Sequence, residues 1–282
     1  MAARGAAWVV LAAVLWSSGG LVIKWAPLPG LAVAGGRAVV TALFYLVVLR
    51  PSLRRASWAT AICYAGMILT FVTATKQTTA ASAIFLQYTG TAWVLVAGPR
   101  LLGEPLRRAD WVAALAGLAA MALCLLDGSA GSHWQGNVLG AVSGVFFAGT
   151  VLTMRRDARP GSPYDAQAST TLGNLLAAAV ALPFCTGDLD AMLQPGAAAA
   201  LLYLGIAQMG VAYLAFLRGL RVVPAATASL LALAEPALSP LWVLLGTGER
   251  PGPWTLAGGA LVLLALVGQT LWTRRLGAAT PA

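Results

Sequence analysis

Apolar stretches of about 19 residues, the length that carries an α-helix across a ~30 Å hydrocarbon layer, recur along the whole chain. Short segments rich in Arg, Gly and Pro separate them. They fall near 6–23, 31–49, 58–75, 79–99, 110–126, 135–154, 166–185, 197–217, 225–246 and 254–272. The pattern predicts an all-α polytopic membrane protein with ten transmembrane helices. Ser169, Thr170, Thr171 and Asn174 make the seventh the least apolar of them. The stretch "ARGAAWVVLAAVLWSSGG" has the ingredients of a secretory signal, but the nine spans after it make it the first helix. Composition sharpens the picture: 59% hydrophobic and 10% charged residues exceed what a soluble core of 282 residues could bury. No soluble domain or long linker is visible, so function is expected within the membrane.

The polar positions then orient the helices, because Lys and Arg favour cytoplasmic loops. With the N-terminus inside, Arg4, Arg50, Arg54, Arg55, Arg100, Arg107, Arg108, Arg155, Arg156, Arg159, Arg218, Arg221, Arg274 and Arg275 fall on the cytoplasmic side. Lys24, Lys76 and Arg250 fall outside, and Arg37 lies within a span. Omitting the seventh span would move Arg218, Arg221, Arg274 and Arg275 outside, so the charges support ten spans in a cell inner membrane with both termini cytoplasmic. The net charge of +9 is a topology signal, with anionic lipid headgroups as its counterpart.

The chain also resembles itself. A shift of 145 positions aligns "LTFVTATK" (Leu69 to Lys76) with "LAFLRGLR" (Leu214 to Arg221), "AASA" (Ala80 to Ala83) with "AATA" (Ala225 to Ala228), and "LLGE" (Leu101 to Glu104) with "GTGE" (Gly246 to Glu249). A weaker correspondence pairs Trp16 and Gly19 with Phe146 and Gly149. Five spans per half is an odd number, so the halves, 1–130 and 131–282, would enter the membrane from opposite sides as an inverted repeat.

Two inverted five-helix halves, Arg37 in the second helix, "EP" (Glu235, Pro236) in a proline-interrupted ninth, and "GE" before an apolar helix in both halves resemble the drug/metabolite transporter superfamily, EamA type. The resemblance covers essentially the full chain and implies a basket of helices around a central cavity, formed mainly by helices 1, 3, 4, 6, 8 and 9. It also implies metabolite export, as in the YddG-type aromatic amino-acid exporters. Within "LQYTGTAWV" this chain keeps Tyr88 but carries Gly90 and Thr91 where Trp and Pro stand in that type.

Glu235 is the acidic residue deepest in a span, where a carboxylate costs roughly 2.5 to 3.5 kcal/mol and should face protein or a wet cavity. It can bind a substrate amino group or exchange protons. It can equally stabilise the irregular backbone that Pro236 and Pro240 create by removing donors and freeing carbonyls near Ala232 and Pro236. Those prolines are the hinge or gating candidates. On the helices that the resemblance assigns to the cavity, Trp16, Gln87, Tyr88, Phe146, Gln208 and Tyr213 join Glu235 as candidate substrate-binding residues; aromatic faces with a few amides suit neutral amphipathic solutes. Helix packing is the competing reading for each. Arg37 is close enough to the outer end to snorkel outward, or it can pair with a substrate carboxylate or an internal acid. Lys76 reads as a solvated loop charge. "GNVLGAVSG" (Gly136 to Gly144) carries overlapping G-x-x-x-G patterns that permit close helix approach.

Other function classes find little support. Cys63, Cys124 and Cys185 lie far apart and read as packing residues. His133 is the one histidine, carboxylates do not cluster, and neither a catalytic constellation nor a metal-ligand spacing appears, which argues against a membrane enzyme. No filter-like loop suggests a channel, and no nucleotide motif suggests ATP as the direct energy source. The expectation is a secondary transporter of small neutral, amino-acid-like or aromatic metabolites working by alternating access. Sugar-linked, lipid-linked or drug-like cargo is the alternative. No cofactor or metal is expected. The expected partners are a small-molecule substrate and the lipid bilayer, without nucleic acid and with the chain acting as a monomer.

Overall fold

The computed structural model describes residues 2–126, 133–247 and 253–278, and no strand occurs among the described residues. Among the described residues ten longer helical tracts follow one another: α1 (Arg4–Trp25), α2 (Gly30–Val48), α3 (Trp58–Gln77), α4 (Ala80–Leu102), α5 (Arg108–Leu126), α6 (Trp134–Asp157), α7 (Ala166–Ala181), α8 (Pro195–Leu220), α9 (Ala225–Gly246) and α10 (Pro253–Ala278). Seven of them, α1 to α4, α6, α8 and α9, are long and apolar enough to cross a membrane. An eighth arises if α7 is joined to the short helix after it, from which it is bent by 85°.

The connections sort the tract ends into two sets. At one end Gly5 of α1 lies against Val222, just past α8, and the N–H of Ser57, before α3, donates to the Ser169 hydroxyl of α7. Glu104, after α4, meets Arg155 of α6 and the first residue of α9 at the same end. At the opposite end Lys24 of α1 reaches Thr78, Gly30 of α2 lies on Thr73 of α3, and Gly136 of α6 covers the turn at Gln77 and Thr78. The most extensive pairings are α3 with α6 and α5 with α10; α3 and α2 also pack on α7, and α1 packs on α8.

The polar run that makes α7 look weak has a structural reason. Ser169, Thr170, Thr171 and Asn174 are all fully buried, facing the bundle. Each returns a hydrogen bond to its own helix, as Ser169 does to the Asp165 carbonyl at 2.8 Å and Asn174 to that of Thr170 at 2.9 Å. Such back-bonding satisfies short polar side chains without water.

The G-x-x-x-G stripe of α6 lies on α4. A Cβ on Gly144 would come within 2.9 Å of the Leu86 and Gln87 carbonyls, and one on Gly90 would collide with the Gly144 carbonyl. Backbone therefore meets backbone where α4 changes direction. Of the cysteines, Cys185 is buried, with its thiol on the Ala181 carbonyl at 3.2 Å, and Cys63 is half-buried. The Cys124 and Pro240 side chains, and Glu249 and Arg250, lie outside the described residues.

Four tracts are irregular. α1 is interrupted at Ser18, between helices Ala2–Ser17 and Gly19–Trp25; the Ser17 and Ser18 hydroxyls bond back to the Val14 and Leu15 carbonyls. α4 is interrupted at Thr89, whose hydroxyl takes the Leu86 carbonyl at 2.6 Å. α9 is interrupted at Ala232 and Leu233, between Ala225–Leu231 and Ala234–Thr247. In α8 a π-helical stretch runs from Tyr203 to Val211; its Gly205 and Gly210 carbonyls accept from Thr41 and Tyr45 of α2, both at 2.9 Å. Non-helical backbone at membrane depth is tolerated only where protein buries it or a cavity adjoins it. The irregular tracts point to one place.

Candidate central cavity

A cavity lies among these breaks. Trp16 of α1, Arg37 of α2, and Met67, Ile68 and Phe71 of α3 line it. Gln87 of α4, Phe147 of α6, Gln208, Met209 and Tyr213 of α8, and Glu235 of α9 complete it. The break in α9 places Glu235 in the first turn of its second segment. Pro236 follows, where a missing N–H costs no intrahelical bond. The Ala232 carbonyl, expected to be freed by Pro236, instead accepts the Glu235 N–H at 2.9 Å. A tight turn restores the bond that the proline removes.

Glu235 is buried, and one of its carboxylate oxygens accepts the Tyr88 hydroxyl at 2.7 Å, joining α9 to α4. Arg37, which lines the same cavity, is only 2% exposed. Its Nη1 donates to the Gln208 side-chain oxygen at 3.2 Å, while Nε, also buried, has no partner among the described residues. Arg37 therefore does not snorkel outward. Gly35 and Gly36 let that face of α2 sit directly on Ala181, the last residue of α7, and on Leu201 of α8. Gln208 is held in turn: a Cβ on Gly19 would lie 2.5 Å from its amide nitrogen.

Trp16 and Tyr213 bring aromatic rings to the wall, backed by Phe216 and Tyr64. Trp16 stacks tilted on Tyr213 and Phe216 at centroid distances of 4.8 and 5.1 Å, and Tyr64 meets Tyr213 edge-on at 4.8 Å. The Trp16 indole Nε1 is buried without a partner among the described residues. Gln87 donates to Ser143 of α6 at 2.9 Å.

Of the candidate residues named from the sequence, Trp16, Gln87, Gln208, Tyr213 and Glu235 line the cavity, and Tyr88 reaches it through its bond to Glu235. Phe146 does not: its ring covers Gly66 of α3, and Phe147, one helical step of about 100° further round, takes the cavity position. Pro236 is buried beside the break; Pro240 lies within the second segment of α9. Met67, Ile68, Phe71 and Met209 carry no sequence signal that separates a cavity wall from a core. For Arg37 the adjoining "GG" was such a signal.

Two carboxylates form nodes away from the cavity, at the Glu104 end of the bundle. Glu104 accepts from Arg155 Nε at 2.6 Å, Arg159 Nη2 at 3.0 Å and the Ala225 N–H at 2.8 Å. Arg155 Nη1 also binds the Leu220 carbonyl. Partial burial by itself would raise the Glu104 carboxyl; the Ala225 amide and the two guanidinium groups outweigh it and hold it below its ordinary value. Asp157, with no exposed side-chain surface, accepts from Thr60 at 2.6 Å, Ser169 at 3.1 Å and Arg156 at 2.9 Å. Arg156 also reaches Ser57 at 2.7 Å. At the opposite end, Lys76 lies on the Ala26 carbonyl and Lys24 on that of Thr78, both at 2.6 Å, so Lys76 is a tether between α3 and the end of α1.

The sequence profile of the EamA-like transporter family matches residues 3–126 and 134–271. The chain belongs to this family. Its helices and its family make it a multi-pass membrane transporter, not an enzyme. Among curated proteins it is similar to the "Uncharacterized transporter YwfM" of Bacillus subtilis (strain 168), 29% identical over 274 residues, covering 92% of this chain and 91% of the relative. A solved structure titled "Crystal structure of protein" shares the fold, with a TM-score of 0.74 at 22% identity over 97% of this chain and 99% of that one. In this EamA-like protein the broken helices adjoin the cavity.

Proposed function

We propose that this EamA-like protein is a secondary transporter that moves small, amino-acid-like or aromatic metabolites across a cell inner membrane by alternating access. One observation carries the reading: a cavity among the described residues draws its walls from both halves of the chain and is ringed by four irregular tracts. Amphipathic rings supply an apolar wall, and Gln87, Gln208, Tyr213, Arg37 and Glu235 supply polar groups.

Ten spans in two inverted halves, 1–130 and 131–282, give the cavity a mechanism. The 145-position shift puts Thr89, where α4 breaks, on Ala234, where the second segment of α9 begins. The helix pairings follow the same exchange: α3 on α6 answers α8 on α1, α4 on α6 answers α9 on α1, and α3 on α7 answers α8 on α2. The family profile matches one segment on each side of residue 130. Rocking one half on the other would open the cavity first to one side, then to the other. The Arg residues gather at the Glu104 end, which supports a cytoplasmic assignment for that end and for the N-terminus.

The test is uptake of labelled neutral and aromatic amino acids into proteoliposomes, with and without a pH gradient, for the parent and Glu235→Gln. Saturable uptake accelerated by the gradient in the parent alone makes Glu235 a coupling group. Saturable, gradient-independent uptake in both makes the protein a facilitator. Saturable uptake of phosphorylated sugars but of no amino acid would replace this cargo with the sugar-linked alternative.

A further inference from the structure

We propose that a phospholipid with an anionic headgroup binds across the seam between α1 and α8 at the Glu104 end of the bundle, its phosphate held by Arg218, Arg221 and Arg4. This is a fixed site on the outer face of the bundle, more than the general attraction of a chain of net charge +9 to headgroups. It goes beyond the transport reading and is independent of the cargo.

The seam is built on glycine. A Cβ on Gly219 of α8 would lie 2.5 Å from a Val9 methyl and 2.9 Å from the Gly5 carbonyl oxygen of α1; one on Gly5 would collide with Val222 and Val223. The start of α1 and the end of α8 therefore meet backbone to backbone. That contact brings the residues beside the glycines to one corner: Arg4 and Trp8 from α1, Arg218 from α8 and Arg221 just past it. All four are exposed. The Arg218 guanidinium lies over the Trp8 ring, 5.5 Å from its centroid.

The corner is rich in cations and lacks an acid. At the same end Arg155 and Arg159 share Glu104, and Arg156 pairs with Asp157. Arg4, Arg218 and Arg221 make no ion pair among the described residues. The Trp8 ring places Arg218 by cation–π attraction, which spends no carboxylate, and a guanidinium so held can offer two N–H groups to two phosphate oxygens.

Toward the bilayer centre the same surface turns apolar. By helical spacing Leu11 and Leu15 continue the Trp8 face of α1, and Leu214 and Val211 continue the Arg218 face of α8. Leu11 and Val211 are exposed, Leu15 and Leu214 half-buried. Arginines and an indole at headgroup depth, with an apolar track below them, match a molecule with an anionic head and acyl chains. A soluble anion would use only the head of the site. Trp16 of α1 and Gln208 and Tyr213 of α8 line the cavity, so a lipid on this seam fastens two cavity helices together.

The test titrates the full chain in detergent with phosphatidylglycerol or phosphatidylcholine of identical acyl chains and counts bound lipids by native mass spectrometry. The first phosphatidylglycerol is expected to bind at least about tenfold tighter than phosphatidylcholine, because each arginine near the surface adds its own attraction. Arg218→Gln should cut that preference about fivefold, and Trp8→Leu, which keeps the charge but removes the ring beneath it, about two- to threefold. Arg54→Gln, at an exposed arginine in the α2–α3 connection, should leave it unchanged. An equal drop in Arg54→Gln would mean diffuse attraction and overturn the site. Equal binding of the two lipids by the parent would overturn it without any variant. Inorganic phosphate at the lipid's concentration should not displace phosphatidylglycerol; displacement would replace the lipid with a free anion.

Discussion

The two ends of the bundle are closed by different chemistry. At the Glu104 end, two carboxylates each gather partners from several helices: Glu104 ties α6 to the start of α9, and Asp157 ties α6 to α3 and α7. At the Lys76 end, two lysines rest on neutral backbone carbonyls, and Thr78 adds a hydrogen bond to Asn137 at 2.8 Å. A buried carboxylate cannot leave its donors without being solvated again, whereas an ammonium at a helix end exchanges a carbonyl for water at little cost. Parting the Glu104 end therefore requires more than parting the Lys76 end. Under the alternating access proposed above, that difference sets which side is easier to open when the cavity is empty.

The sharpest way to break this comparison is to remove the most enclosed group. Asp157→Ala leaves Thr60, Ser169 and Arg156 without their common acceptor. The expected loss is about 3 kcal/mol, the low end for one member of a buried pair, because the Arg156 guanidinium is 43% exposed and can turn to water. Controlled unfolding in mixed micelles measures it; a loss smaller than that of a lysine variant from the other end would reverse the comparison.

Glu104→Gln comes next, at about 2 kcal/mol, since it keeps an acceptor for Ala225 but removes the charge that Arg155 and Arg159 share. Its pH dependence has a definite sign. The folded carboxyl titrates below its ordinary value of 4.5, so its stabilisation is complete above that value and fades as acid takes the pH through the lowered one. Unfolding of the parent followed from pH 6 downward should show this loss, and Glu104→Gln should lack that component. An unchanged acid profile in the variant would remove Glu104 as a strap.

Much of the fold was legible in the sequence because the bilayer constrains it: window length marks the helices, and the Arg and Lys pattern marks the ends. Glu235 stood out because a carboxylate deep in a span is unusual, and Trp16 because it is an aromatic on a helix that the resemblance assigns to the cavity. Phe146 and Phe147 were not separable, since choosing between neighbours requires the rotation of α6, which is fixed by how its glycines seat on α4. Arg37 misled because distance from a helix end says nothing about which face a side chain is on. Asp157 was hidden in "MRRD", where the adjacent arginines suggest a solvated end and only the fold brings Thr60 and Ser169 to it.

The smallest expected effect tests the weaker side. Lys76→Met removes the ammonium from the Ala26 carbonyl while keeping a similar apolar stem over the end of α3. Lys76 is only half-buried, so water can take its place on the carbonyl, and the loss should stay under about 1 kcal/mol. The double variant Lys24→Met, Lys76→Met should lose little more than the sum of the two, because each lysine serves a different carbonyl and none of the described residues pairs them with an acid. The comparison is sharpened if that double variant also speeds uptake from the Lys76 side while Glu104→Gln speeds release at the other. A double-variant loss approaching that of Asp157→Ala would mean that the two ends are fastened equally, and the carboxylate nodes would then have no special part in which side opens first.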